Sequence, residues 1–282
     1  MQRTFSHSAL SPRQRAGRCA CVLVFVLLLC SPGCREDKHD DHADLSLGNE
    51  AFNQYDIGDA EMHYQRFLRK NISSENRWWV WNRLIDIALN VRQQKTTALE
   101  YLEIMLEEYS DDHDRRRSIE TTLAGLCKDL HLYERAISLW KSLASDPATP
   151  AEVRAEAYRN LSDAYLRQLE FTNTTDALQS CLQLDVSNTT LANCYYDLAE
   201  TRILLGELAA AETNLRTLVS LEAVEPETLM LGTFMLADVL DQKGSLEEAL
   251  GIFSSLKDTH PNNRVMEMRL DSLQKRLKKK KK

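Results

Sequence analysis

Met235-Leu236-Ala237-Asp238-Val239-Leu240, followed by Lys243-Gly244-Ser245-Leu246-Glu247-Glu248-Ala249-Leu250 and then Phe253, is the stretch that decides the fold. An aliphatic residue stands directly before a small one (Leu236-Ala237). Thirteen residues after the aliphatic comes an Ala, and four residues after that a bulky side chain (Ala249, Phe253). Residues four apart share one face of a helix. A small residue lets a neighbouring helix approach, and the bulky one fills the next gap. Gly244 between the two segments ends one helix before the next begins.

The same arrangement recurs along the chain. Ala60/Tyr64, Ala98/Leu102, Ala136/Trp140, Ala177/Cys181 and Ala211/Leu215 repeat the second element. Leu47-Gly48, Leu123-Ala124, Leu161-Ser162 and Leu198-Ala199 repeat the first, with Ile85-Asp86 the exception because Asp is not a small apolar residue. The aliphatic-to-Ala distance is 13 residues in five units and 16 in the unit ending at Ala177, which implies three extra residues around Phe171-Thr172-Asn173. Turns within units should carry Gly, Asp or another breaker, as in Tyr55-Asp56-Ile57-Gly58-Asp59, Gly206-Glu207-Leu208 and Gly244-Ser245-Leu246. Beyond the N-terminal segment the prolines are Pro147, Pro150, Pro226 and Pro261, all between units, where no helical hydrogen bond is lost. A fixed period of this kind predicts a solenoid, since no helix pair can bury its apolar face alone.

These units resemble tetratricopeptide repeats over roughly residues 41–277, although the family's first-helix Trp is missing from most of them. The resemblance implies an all-α, right-handed superhelical solenoid of about six helix pairs over residues 45–263. A capping helix over 264–277 would cover the open edge with Val265, Met268, Leu270, Leu273 and Leu277, ahead of a basic tail, 278–282. It also implies a groove along the first helices that holds a protein or peptide partner. Phe52, Arg83, Asn90, Arg159, Arg167, Tyr196 and Phe234 are the candidate contacts, as aromatic and Arg side chains anchor such surfaces.

The N-terminus reads differently. Arg3, Arg13, Arg15 and Arg18 precede an apolar run, Cys19–Cys30, too short for the roughly 20 residues that span a bilayer. This is the layout of a secretory signal, residues 1–33. Its end, Ser31-Pro32-Gly33-Cys34, resembles the lipobox of bacterial lipoproteins, which implies lipidation at Cys34; an ordinary cleaved signal or an uncleaved anchor are the other readings. Several acyl chains hold a protein on a membrane without a spanning helix. Arg35 stands where Asp would favour the inner membrane in lipoproteins of enteric type, so the implied location is the periplasmic face of the outer membrane. Residues 34–44 read as a polar tether, and His39, Asp40, Asp41 and His42 as part of it rather than as a metal site, which needs a rigid frame.

The formal net charge of −7 becomes 31 basic against 42 acidic residues, or −11, once the signal is removed. Without Lys275, Arg276 and Lys278–Lys282 the body is 24 against 42, or −18, which argues against nucleic acid as a partner. Cys181 and Cys194 flank one short turn and are within reach of a disulfide, though both also suit small buried apolar positions. There is no phosphate loop, nucleophile elbow or zinc-protease motif, and no cofactor or metal is expected. The adjacent acids Glu107-Glu108, Asp111-Asp112 and Glu247-Glu248 diverge on a helix and read as solvated surface. Three functions stay open: a lipid-anchored scaffold in envelope assembly (β-barrel, type IV pilus or murein-hydrolase systems), an inner-membrane or cytoplasmic adaptor, and, least favoured, an enzyme.

Overall fold

The computed structural model describes residues 43–257 and 261–280, which form α-helices and no strand. Six helix pairs follow one another: α1 (Ala43–Asn53) with α2 (Ile57–Lys70), α3 (Arg77–Asp86) with α4 (Lys95–Glu108), α5 (His113–Asp129) with α6 (Tyr133–Ser145), α7 (Ala151–Arg167) with α8 (Phe171–Cys181), α9 (Asn188–Leu204) with α10 (Leu208–Ser220), and α11 (Pro226–Lys243) with α12 (Leu246–Leu256). A last helix, α13 (Asn263–Lys280), packs on α12. Each helix touches the ones before and after it in sequence, as a solenoid requires. The signal segment, Cys34 and most of the expected tether lie outside the described residues.

Helix starts are set by side chains that take up orphan backbone N–H groups. Asp56 accepts from the Asp59 amide, Asp112 from Arg115 and Ser187 from Thr190. Pro226 opens α11 at the position where its missing N–H costs nothing.

Every first helix ends in the same way. Tyr55, Gln93, His131, Leu169, Gly206 and Gly244 all have positive φ, between 56° and 84°, and are spaced 38, 38, 38, 37 and 38 residues apart. The next amide then bonds back to the carbonyl five residues earlier, as in Leu132 to Cys127 (2.8 Å) and Ser245 to Leu240 (2.9 Å). Only two of the six positions are Gly. In the other four, ordinary side chains adopt the left-handed turn that a breaker was expected to supply.

This register corrects the reading of the fourth unit. Five residues after each turn residue stand Ala60, Ala98, Ala136, Thr174, Ala211 and Ala249, all buried. Thr174, not Ala177, is the equivalent of Ala, and Leu178 is its bulky partner. There are no three extra residues. Thr174 fits the buried position because its hydroxyl donates to the Glu170 carbonyl (3.0 Å). The one irregularity is in the second unit, where a π-helical stretch, Ile87–Val91, continues α3 and Gln94 bonds back six residues to Ala88. The stretch holds one additional residue, so Leu84-Ile85 rather than Ile85-Asp86 matches the aliphatic-small pair, with Ile85 in the small residue's place.

The small and bulky residues meet as the pattern requires, although Leu47, the aliphatic of the first unit, is 46% exposed. Gly48 lies so close to Tyr64 that a Cβ there would come within 2.7 Å of the ring. The apolar core falls into two main clusters, one running from Ala60 to Ala177 and one from Ala199 to Leu273. Between them Cys181 of α8 and Cys194 of α9 form a disulfide, Cα–Cα 6.2 Å, packed with Ala155. On α13, Met266 and Leu273 are buried while Met268 is 61% exposed, so the covering stripe is Met266, Leu270, Leu273 and Leu277, and Met268 is not part of it. Helix α1 begins at Ala43, two residues inside the expected tether; Asp44 is buried and meets Lys70 (2.8 Å), Arg66 (3.5 Å) and His63 (3.3 Å). The last helix likewise continues to Lys280, past the expected Leu277.

The acids are not all solvated surface. Glu108 takes a two-pronged contact from Arg77 (2.6 and 2.5 Å) and a hydrogen bond from the Trp81 indole (3.0 Å). Asp112 caps α5, and Glu248 receives Arg216 (2.6 Å). Lys95–Asp129, Arg92–Glu61, Lys128–Asp163 and Arg269–Asp238 likewise pair residues one unit apart. The stack brings residues 31–38 apart in sequence side by side, so acids that diverge within a helix meet bases on the next unit.

Candidate binding face on the first helices

Each of the seven candidate contacts lies on a first helix or its π-helical continuation. First helices α7 and α9, and α9 and α11, also pack on one another, so the stack is close along this side in units four to six.

In units one and two, three candidates come together. The Arg83 guanidinium stacks on Phe52 (4.5 Å to the ring centre) and on Trp79 (5.1 Å). Arg83 also pairs with Asp86 (3.6 Å), which accepts from Asn90 (2.7 Å). A cation held over two rings is favourable by about 0.5–1 kcal/mol at an exposed site. Trp79, 40% exposed, belongs to this cluster and was not foreseen. Nothing in the sequence sets it apart from Trp78 and Trp81 until the helix phase is known.

In units three to five a second group surrounds a cleft of about 230 Å3. Arg159 donates to Asp197 across helices α7 and α9 (2.6 Å) and also pairs with Glu156 (3.3 Å). Asp163 receives Lys128 (3.3 Å) and Arg167 (3.2 Å). Burial lifts the Asp197 carboxyl above the usual carboxylate range, with Arg159 pulling it only part of the way back. Glu200 is lifted too, by desolvation first and then by the neighbouring charges of Asp197 and Asp163. Lys128, Asp163, Asp197 and Glu200 are the residues of this cleft that were missed. The signal the sequence carries is an acid six residues before a turn residue, repeated at Asp163, Glu200 and Asp238.

Tyr196 is half-buried on α9, and burial raises its phenol. Phe234 meets Phe253 edge-on (5.3 Å) and packs on the second core cluster, so its ring serves the α11–α12 contact. The charges of Glu200 and Asp197 also raise the Tyr196 phenol, so Tyr196 neighbours the second group.

The fold is that of the tetratricopeptide-repeat solenoids. The chain is similar to PilW, a widely conserved type IV pilus biogenesis factor, with a TM-score of 0.51 and 18% identity over 83% of this chain and 97% of that one. It is also similar to RapI in its apo form (TM-score 0.55, 12% identity, 85% of this chain and 76% of that one). A Podosopora anserina protein of nearly identical TPR-like repeats matches with a TM-score of 0.52 and 16% identity over 66% and 96%. No protein-family model and no curated protein matches the chain.

Proposed function

We propose that the chain is an exported, lipid-anchored scaffold that holds a protein partner on its first-helix face at the cell envelope. The observation that carries the binding role is that face itself: it presents the Phe52–Arg83–Trp79 cluster and the Arg159–Asp197 cleft to solvent. Arg and aromatic side chains that are already held in place lose little freedom when a partner binds. Export is supported by the basic, apolar and Cys34 sequence of the N-terminus and by the Cys181–Cys194 disulfide, a bond that persists in oxidising compartments. Pilus biogenesis is a role held by one protein of the same fold, PilW.

Two measurements test this. Radiolabelled palmitate should enter the intact protein and not Cys34→Ala; absence of label would falsify lipidation. Cross-linking in membranes followed by pull-down should recover a partner that Arg83→Glu plus Arg159→Glu loses, with circular dichroism showing the double variant still helical. A partner retained by that variant places binding away from this face.

A further inference from the structure

We propose that the slot between the α5–α6 pair and α7, with the charged cleft beside it, seats a peptide segment carrying one bulky apolar side chain and, about three residues away, a Lys or Arg. This rests on the scaffold reading above and names the chemistry of what is held.

The slot has a volume of about 270 Å3, and its walls are mostly apolar, from Trp140, Leu143, Val153 and Ala157. An enclosed apolar cavity of about 150 Å3 already takes a benzene ring, so a Leu or Phe side chain fits here. It opens where the first helices stand apart: α7 approaches α9, but α5 and α7 do not come so close. Trp140 occupies the bulky position held by Leu102, Leu178 or Leu215 in other units, and it is the largest side chain there.

Glu156 and Asn160 line both the slot and the charged cleft, so the two adjoin. Within the cleft every carboxylate but one is matched by a base: Glu156 and Asp197 by Arg159, and Asp163 by Lys128 and Arg167. Glu200 has no cationic partner among the described residues. It faces Asp197 and Asp163, which repel its charge. A guanidinium or ammonium from outside completes the alternation, and the acidic body attracts such a group over longer range. Slot and Glu200 are one unit apart, about 8–10 Å. Extended chain covers that distance in about three residues. An apolar anchor in a mostly apolar slot supplies affinity, and the charge fixes direction and selectivity.

The test is selection of displayed random nonapeptides on the full chain in detergent, followed by fluorescence anisotropy of the enriched peptides. Enrichment of Leu, Phe or Trp about three positions from Lys or Arg is expected. Val153→Trp, which fills the slot, and Glu200→Lys should each weaken binding at least tenfold while circular dichroism is unchanged. Replacing the peptide's base by Glu should restore binding to Glu200→Lys. Enriched peptides without that pair, or affinities unmoved by both variants, overturn the proposal. If such peptides are instead displaced by Arg83→Glu, the scaffold reading stands and only this slot falls. If no peptide is enriched and Val153→Trp breaks a dimer seen by light scattering, the slot is a self-association surface and the proposal also fails.

Discussion

Leu169→Gly should stabilise this protein. Leu169 has φ of 60° and is 71% exposed, so its side chain contributes little packing while its backbone sits in the left-handed region. That region costs a residue with a Cβ about 1–2 kcal/mol. Gly escapes this cost but gives up about 0.5–1 kcal/mol through its greater freedom in the unfolded chain. The difference is a gain of about 0.5–1 kcal/mol. Tyr55, with φ of 61° and 88% exposure, presents the same case three units away. Distant sites add, so the pair should gain about 1–2 kcal/mol, or roughly 2–8 °C in Tm for a chain of this size. Gly206 and Gly244 provide the reverse experiment. An added Cβ at either meets nothing within 4 Å, so Gly→Ala there isolates the backbone cost and should lose about 0.5–1 kcal/mol. Urea unfolding followed by circular dichroism at 222 nm reads all four. If Leu169→Gly is destabilising while Gly206→Ala is neutral, the left-handed turns are not where these units store strain, and the argument fails.

Gly48→Ala gains helix propensity but drives a Cβ to 2.7 Å from the fully buried Tyr64 ring; overpacking of this kind costs about 1–3 kcal/mol, so a net loss is expected in the same assay. Reducing the Cys181–Cys194 disulfide, which closes a loop of sequence separation 13, should cost about 3 kcal/mol and split one thermal transition in calorimetry into two, because the apolar clusters on either side are separate. Asp44→Asn and Glu200→Gln should respond to pH with opposite signs. Burial opposes the Asp44 charge, but Lys70 and His63 overcome it and hold the carboxyl below its usual range, so its stabilisation exists at neutral pH and is lost as pH falls through that range. Asp44→Asn should therefore lower Tm at pH 7, by an amount that shrinks as pH falls below the ordinary Asp value of about 3.9. Desolvation and nearby carboxylates raise Glu200, so its charge is a burden at neutral pH; Glu200→Gln should raise Tm at pH 7, a gain that fades once the carboxyl is protonated.

The fold was legible because the spacing between small and bulky side chains is a direct record of helix contact. What the pattern could not show was substitution by shape. Thr174 does the work of an Ala once its hydroxyl finds the Glu170 carbonyl, and a reading by residue type moved to Ala177 instead. Tyr55, Gln93, His131 and Leu169 carry no turn signal in themselves, because a left-handed residue that is not Gly is imposed by the helices on both sides. The binding face was legible in part. Aromatic and Arg residues on first helices pointed to Phe52 and Arg83, but their partner Trp79 needed the helix phase, and the pairs Lys128–Asp163 and Arg159–Asp197 needed the stacking of one unit on the next.

The junction between the fourth and fifth units joins the questions of stability and binding. Apolar packing, the usual link between neighbouring units, is thinnest there: Ala155 with the two cysteines stands between the larger clusters. Polar contacts take its place. Glu152 accepts from the Ser187 amide (2.7 Å) and the Thr190 hydroxyl (2.5 Å), and Arg159 bridges to Asp197. Such contacts are directional and individually modest, so a stack joined by them alone would open more readily than one joined by Leu and Phe. A covalent bond at this joint removes that freedom at a point where apolar burial does not. The same arrangement leaves the first-helix side of the joint charged and open to solvent, which is where the cleft lies. The polar residues that weaken the core at this point are those that give the face its recognition chemistry, and the disulfide allows both to coexist in one chain.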